Sequence, residues 1–303
     1  MNIGLMLLYE NWGNNYSTAF QNQHDLIMHA EKLNFDDVWI TEHHFNKFSL
    51  SSSILTLMAY IIASTKKINV GTASILTPIY NPIIVAEAIA TLNILSNNRF
   101  YFGVAKGGPF KKQNEHFDFE DARKSMLHNL DQIFSHLKES SDVYPKPIGN
   151  IPTFIASKDE SSIRYAAQRD IGLMAAHLWP MALIKNMLTQ YEEFHPHHAS
   201  AKMMCSRGFY MAQSNEEAIN EALPALKRFR EQMESQGISN PIFYDENHWI
   251  ENGIIGDKQT CVEKINELKA LGVTHLALKP ISNEVEKNKA SLELFSQEVL
   301  VNC

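Results

Sequence analysis

The sequence predicts an α/β protein, a single (β/α)8 TIM barrel over residues 1–303 with an insertion between strands seven and eight. Three observations carry this. Short apolar or β-branched runs alternate with stretches of helical periodicity along the whole chain, with no break in composition. The second run passes abruptly from Val38-Trp39-Ile40-Thr41 to Glu42-His43-His44-Phe45, placing titratable groups at a strand carboxyl end, where parallel α/β proteins build their sites. The 303 residues, 45% hydrophobic and 20% charged, suffice for one large core. A doubly wound open sheet has the same element order and is the alternative, because a sequence does not show barrel closure.

Residues 3–8 form the first strand, and a helix begins at Thr18 with Phe20, Ile27, Ala30 and Leu33 at helical spacing. The second strand covers 38–41, an apolar helix 51–63, and the third strand 68–72. Asn81-Pro82 supplies a cap residue and a proline for the first helical position of a helix to Leu95. The fourth strand is 99–104, followed by a helix over 120–137 with Leu127, Leu130, Phe134 and Leu137 on one face. Pro145 and Pro147 mark a loop before the fifth strand, 153–156. Ser157 and Glu160 have capping-box spacing, so a helix is expected from there to about Arg169.

Strand six is 171–175, a helix covers 182–194, and strand seven is 207–212. Ser214 and Glu217 form a second capping box opening a long helix that Pro224 kinks. The polar and aromatic segment 237–256, with Tyr244, His248 and Trp249, reads as an inserted loop or lid. Asp257 caps a helix that Gly272 ends, 273–278 is strand eight, and a last helix covers 285–299.

The formal charge of −7 argues against nucleic acid or an anionic membrane as partner. Basic pairs such as Lys66-Lys67 and Lys111-Lys112 are scattered. The start lacks a cationic, apolar leader, and no run of about 18 apolar residues follows. Cys205, Cys261 and Cys303 are few and widely spaced, so neither a disulfide framework nor a zinc site is expected and the reducing cytoplasm is the expected location. No metal is expected: His43 and His44 point to opposite faces if the strand continues, and the cluster His195-Pro196-His197-His198 is expected to face water from a helix-terminal loop.

Neutral histidines can exchange protons and hydrogen bonds near neutral pH, so His43 and His44 are candidates for chemistry; tying down a loop with Glu42 is the plainer reading. Strand three ends in the small residues Thr72-Ala73-Ser74, which leave room for a flat ligand. Strand four ends in Gly103-Val104-Ala105-Lys106-Gly107-Gly108, whose spacing is not the dinucleotide fingerprint, although Lys106 could meet a phosphate. The helix start at Ser157 to Ser162 offers free N–H groups and hydroxyls as a second anion seat; an ordinary capped helix is the alternative.

Phe35 through Phe45, Ile68 through Ser74, Asn81-Pro82 with Glu87, and Arg99-Phe100-Tyr101-Phe102-Gly103 together resemble the bacterial luciferase-like flavin-dependent monooxygenase family, most closely over the first 125 residues. The resemblance implies a barrel that binds reduced FMN from a separate flavin reductase. O2 then forms a flavin hydroperoxide that oxygenates a small organic substrate, with an aldehyde as candidate. On this reading His43 is the general base or hydrogen-bond partner, His44 supports the pocket and Glu42 orients the pair. Ala73 and Ser74 match a position where members carry a non-prolyl cis peptide beside the flavin.

Lys106 stands where the luciferase alpha subunit has a phosphate-contacting arginine, and Ser157, Ser161 and Ser162 fall near its second phosphate segment. Ala105 replaces that subunit's reactive cysteine. Segment 237–256 is shorter than its mobile loop, against efficient light emission. The resemblance also implies a homo- or heterodimer formed through the helices flanking strands two and three. Two rivals stand beside this reading: deazaflavin-dependent hydride transfer, and a non-catalytic flavin-binding or partner subunit.

Overall fold

A computed structural model of the chain describes residues 1–13, 15–108, 111–117, 121–235 and 245–302. Among these the strands are β1 (Asn2–Leu7), β2 (Asp37–Ile40), β3 (Asn69–Thr72), β4 (Ile75–Leu76), β5 (Phe100–Ala105), β6 (Thr153–Ile155), β7 (Gly172–Ala175), β8 (Met203–Met211), β9 (Ile254–Gly256) and β10 (His275–Pro280). Eight of them pair in parallel in the order β10-β1-β2-β3-β5-β6-β7-β8, and β8 pairs with β10 again. The sheet is therefore a closed barrel, and the open-sheet alternative falls. The helices are α1 (Tyr16–Lys32), α2 (Ile54–Ser64), α3 (Pro82–Leu95), α4 (Lys111–His116), α5 (Ala122–Leu137), α6 (Glu160–Ala167), α7 (Met181–Phe194), α8 (Asn215–Ser235), α9 (Glu246–Asn252), α10 (Lys258–Leu271) and α11 (Val285–Glu298).

The helix ends follow local chemistry. The Asn81 side chain accepts from the Ile83 N–H with Pro82 in the first turn, and Asp257 accepts from Thr260 N–H. Gly272 closes α10 at φ 106°, where a side chain would be strained. Ser214 Oγ accepts from Glu217 N–H at 3.2 Å, as the capping-box spacing requires. Ser157 does not cap α6: its hydroxyl accepts from Asp159 N–H at 3.3 Å, and Asp159 becomes the residue before the helix. A short polar turn has taken the hydroxyl that the spacing assigns to a helix.

Two apolar layers result. One lies between the barrel and its helices, with Val38, Ile40, Val70, Phe100 and Phe102 facing outward onto residues such as Ile61, Ile89 and Ile133. The other fills the barrel, where Trp39 meets Phe154 edge-on at 5.4 Å and Tyr101 at 5.5 Å. Gly71 makes room for that indole: a Cβ there would stand 2.4 Å from the Trp39 ring.

Three further expectations need correction. Strand seven starts at Met203 rather than residue 207, because parallel pairing with β10 extends through Met204 and Cys205; Met and Cys carry little strand signal of their own. The described part of segment 237–256 is ordered structure, α9 followed by β9, which pairs with the carboxyl end of β8. Tyr244 lies outside the described residues. His195 is buried and pairs with Asp170 at 2.7 Å, while its Nδ1 accepts from the N–H groups of His197 and Ala199. Cys205 and Cys261 are buried free thiols, and Cys303 lies outside the described residues. No helix of the described residues is long and apolar enough to cross a membrane.

Candidate active site at the carboxyl mouth of the barrel

Above the Trp39–Phe154 layer the barrel opens into a cavity of about 270 Å³. Met6, Met174, Leu178, Met204, Phe229 and Met233 supply its apolar walls. Thr41, His43, Ser74, His177 and Ser206 supply its polar side chains, and among the described residues no Asp or Glu lines it. Close packing makes the floor: a Cβ on Gly103 would lie 1.9 Å from the Thr72 carbonyl oxygen and 2.9 Å from the Met174 methyl. The Ala73–Ser74 peptide on the wall is cis.

His43 is placed by the loop that follows β2. This loop folds back against the end of β1, with Asn11 N–H donating to Phe48 O and Leu50 N–H to Tyr9 O. Asn46 Oδ1 accepts from the N–H groups of Phe48 and Ser49, which tightens the turn. Ser49 Oγ then lies 2.6 Å from His43 Nδ1 and 2.7 Å from the Leu8 carbonyl oxygen. A serine hydroxyl has one proton, and a carbonyl can only accept it. Ser49 therefore accepts from His43 Nδ1–H, and Nε2 is the basic nitrogen of the ring. Burial, assisted by nearby His44, pushes the His43 pKa down to about 4, so the ring is neutral at physiological pH.

The adjacent residues turn elsewhere. Glu42 is buried and does not reach His43. Its Oε1 accepts from Tyr80 Oη–H and from His44 Nε2 at 2.7 Å, and its Oε2 accepts from Leu76 N–H at 2.8 Å. Burial and the Glu42 carboxylate push the Tyr80 phenol up. His44 packs edge-on against Phe117 at 5.2 Å and does not line the cavity. Glu42 and His44 thus lock the end of β2 to β4 and Tyr80, while His43 alone of the three faces the cavity.

The anion-seat candidates gather at neighbouring strand ends. Val104 pairs with Ile155 where β5 and β6 end side by side, and Lys106 and Ser157 each follow two residues beyond that pair. Among the described residues Lys106 makes no hydrogen bond or ion pair. Ser157 is buried and bound to Asp159, Ser161 is exposed, and Ser162 is buried with its Oγ unpartnered. Arg123, which the sequence did not single out, reaches this helix start and pairs with Asp159 at 2.6 Å, its buried Nε without a partner among the described residues.

The sequence reading also passes over Ser49, His177 and Arg207. His177 follows β7 as His43 follows β2, so the rule that selects His43 applies to it. Arg207 is 1% exposed, a charge inside an apolar strand run. Ser49 has no local signal, because only the folded loop brings it to His43.

The luciferase-like monooxygenase family matches residues 1–275. The alkanal monooxygenase alpha chain of Photobacterium leiognathi is 23% identical, the match covering 96% of this chain and 95% of the relative. The oxygenase component of flavin-dependent trigonelline monooxygenase from Acinetobacter baylyi is 23% identical over 91% of this chain and 88% of its own. Among solved structures, monooxygenase RslO1 from Streptomyces bottropensis superposes with a TM-score of 0.89 at 18% identity, covering 99% of both chains. An F420-dependent secondary alcohol dehydrogenase superposes at 0.74 and 17% identity, over 99% of this chain and 98% of its own. With the family signature covering nine-tenths of a closed barrel, this chain belongs to the luciferase-like monooxygenases.

Proposed function

We propose that the chain is the oxygenase component of a flavin-dependent monooxygenase, taking reduced FMN from a separate reductase and using O2 to oxygenate a small apolar substrate such as an aldehyde. The observation that carries this is the largely apolar cavity, without a carboxylate among its described lining residues, that holds His43 in one tautomer. The flavin-dependent relative named as an oxygenase component supports both the cofactor and the reductase partner.

The residues present fit a flavin. Ala73, Ser74 and Ala156 are small and would let a flat ring approach the wall. Arg123 Nε, reaching from α5, and Ser162 Oγ in α6 are buried polar atoms without partners among the described residues. With Lys106 and Ser157 beside them they would hold the phosphate. Reduced flavin supplies two electrons, so that one atom of O2 enters the substrate and the other leaves as water.

The chain contributes the surroundings of that chemistry. His43 Nε2, a weak base at a pKa of about 4, accepts a hydrogen bond from a donor bound in the cavity and takes no full proton at neutral pH. Methionine and leucine walls exclude water. Glu42 and His44 act at a distance by fixing the end of β2. Tyr60 on α2 and Ile84 and Leu95 at the two ends of α3 are exposed apolar residues, and they suit a homo- or heterodimer contact of a cytoplasmic protein.

Stopped-flow mixing of anaerobic protein and reduced FMN with oxygenated buffer tests the proposal. Slow reoxidation through a protein-stabilised phase that a long-chain aldehyde accelerates is the expected result. Reoxidation at the rate of free reduced FMN sinks it, and turnover with reduced F420 alone supports the hydride-transfer rival. His43→Ala should retain flavin affinity and lose turnover, whereas a non-catalytic partner has no turnover to lose.

A further inference from the structure

His177 carries an observation that the family reading does not use. It follows β7 in the loop that passes over the mouth, lines the same cavity as His43, and meets the Phe229 ring at 6.0 Å. Among the described residues its ring makes no hydrogen bond, whereas His43 is held by Ser49 and His44 by Glu42. Half-buried at the cavity wall and without a protein partner among the described residues, the ring is placed to hydrogen-bond a ligand or water.

The loop is built to hold the ring in place. Arg207 donates to the carbonyl oxygens of Ala176, His177 and Trp179 at 3.5, 3.4 and 3.0 Å, and His248 Nε2 lies 3.1 Å from that of Leu178. Four consecutive carbonyls are thus hydrogen-bonded by side chains from beneath. Such a loop loses little freedom when a ligand binds.

Charge selects the ligand. Burial, then Lys279, Arg207 and His43, push the His177 pKa down to about 3, so the ring presents one N–H donor and one acceptor. Arg207 spends its donors on the loop, and Lys279 is held by Glu10 at 2.7 Å. Neither cation lines the cavity, so a bound carboxylate would meet no cation there among the described residues, whereas a neutral oxygen needs only the ring N–H. An uncharged, electron-rich oxygen suits that setting, and the methionine walls suit a flexible aliphatic body.

We propose that His177 is a substrate-positioning residue whose ring N–H donates to the carbonyl oxygen of a neutral aliphatic carbonyl compound bound in this cavity. The assignment rests on reading the cavity as the substrate site. The test uses protein with excess FMN and carbonyl-13C 2-octanone, followed by calorimetry and by infrared difference spectroscopy; neither readout needs reduced flavin or O2. Bound ketone should show its carbonyl stretch at lower wavenumber than in an alkane solvent. H177F should weaken binding about tenfold and remove the shift, and H177Q, which retains an N–H donor, should restore most of both. An unchanged stretch in H177F overturns the assignment and leaves the substrate-cavity reading standing. Failure of the wild-type protein to bind the ketone overturns both, while the oxygen reaction remains separately measurable by stopped flow.

Discussion

Replacing Ser49 by alanine isolates the device that orients His43. The substitution removes two hydrogen bonds, His43 Nδ1–H to Ser49 Oγ at 2.6 Å and Ser49 Oγ–H to Leu8 O at 2.7 Å. Each contributes roughly 1 kcal/mol net, and leaving the buried Leu8 carbonyl unsatisfied, with only the longer Thr41 Oγ1 contact at 3.4 Å left to His43 Nδ1, adds to the loss, so a destabilisation of about 2–4 kcal/mol is expected. The chemical effect is separate. Without the serine acceptor the imidazole is no longer bound to one tautomer, and Nε2 carries the proton part of the time. Urea denaturation measures the first effect, and 15N chemical shifts of the His43 ring measure the second. Activity should fall more than tenfold while FMN affinity stays within about twofold, since Ser49 does not line the cavity. A His43 ring that keeps its proton on Nδ1 in the variant would refute the reasoning, whatever happens to stability.

Gly103→Ala forces a Cβ to within 1.9 Å of the Thr72 carbonyl oxygen, so β3 and β5 must separate. A loss of at least about 3 kcal/mol is expected in urea unfolding, and a wild-type midpoint would contradict the packing described for the floor. Lys106→Ala and Arg123→Ala should each weaken FMN more than tenfold and leave riboflavin, which lacks the phosphate, nearly unchanged; equal losses for both ligands would remove the phosphate seat from this strand pair. Stability should fall as pH drops from about 6.5 toward 4. His43, His177 and His275 have folded pKa values of about 4, 3 and 4, so unfolding takes up a proton at each in that window. Asp37, raised by burial to about 7, opposes them by releasing one. A slope of unfolding free energy against pH corresponding to about two protons taken up is expected, and a flat profile between pH 4 and 6.5 contradicts the burial of these rings.

What is legible in the sequence is what is local. The strand ending in Glu42-His43-His44, the Asn81-Pro82 cap and the Gly272 stop each depend on a few adjacent residues, and each marks its element in the folded chain. Closure of the barrel is not local: it depends on β8 meeting β10, some seventy residues apart, in register. Division of labour within Glu42-His43-His44 is equally hidden. Alternation along a strand separates neighbours, but only the position of Tyr80 and Leu76 makes Glu42 a clamp for β4, and only Ser49 makes His43 the cavity-facing imidazole. Ser157 shows the opposite failure, a correct local pattern overruled by a nearer partner, Asp159.

The protonation states of the two cavity histidines bear on which reaction the site suits. Hydride transfer from an alcohol leaves a hydroxyl proton to be taken up, and a group does this best when its pKa lies near the working pH. His43 and His177, at about 4 and 3, are poor acceptors there, and among the described residues no carboxylate lines the cavity to replace them. Oxygen transfer to a carbonyl compound makes a different demand: the substrate oxygen needs a donor that stays neutral, and the reduced cofactor needs a dry wall with a fixed hydrogen-bond acceptor. Imidazoles pinned in the neutral form can supply both, and the cations that keep His177 neutral are already engaged with Glu10 and the loop carbonyls. The feature that makes these histidines unsuitable as bases thus weighs for oxygenation over alcohol dehydrogenation in this barrel.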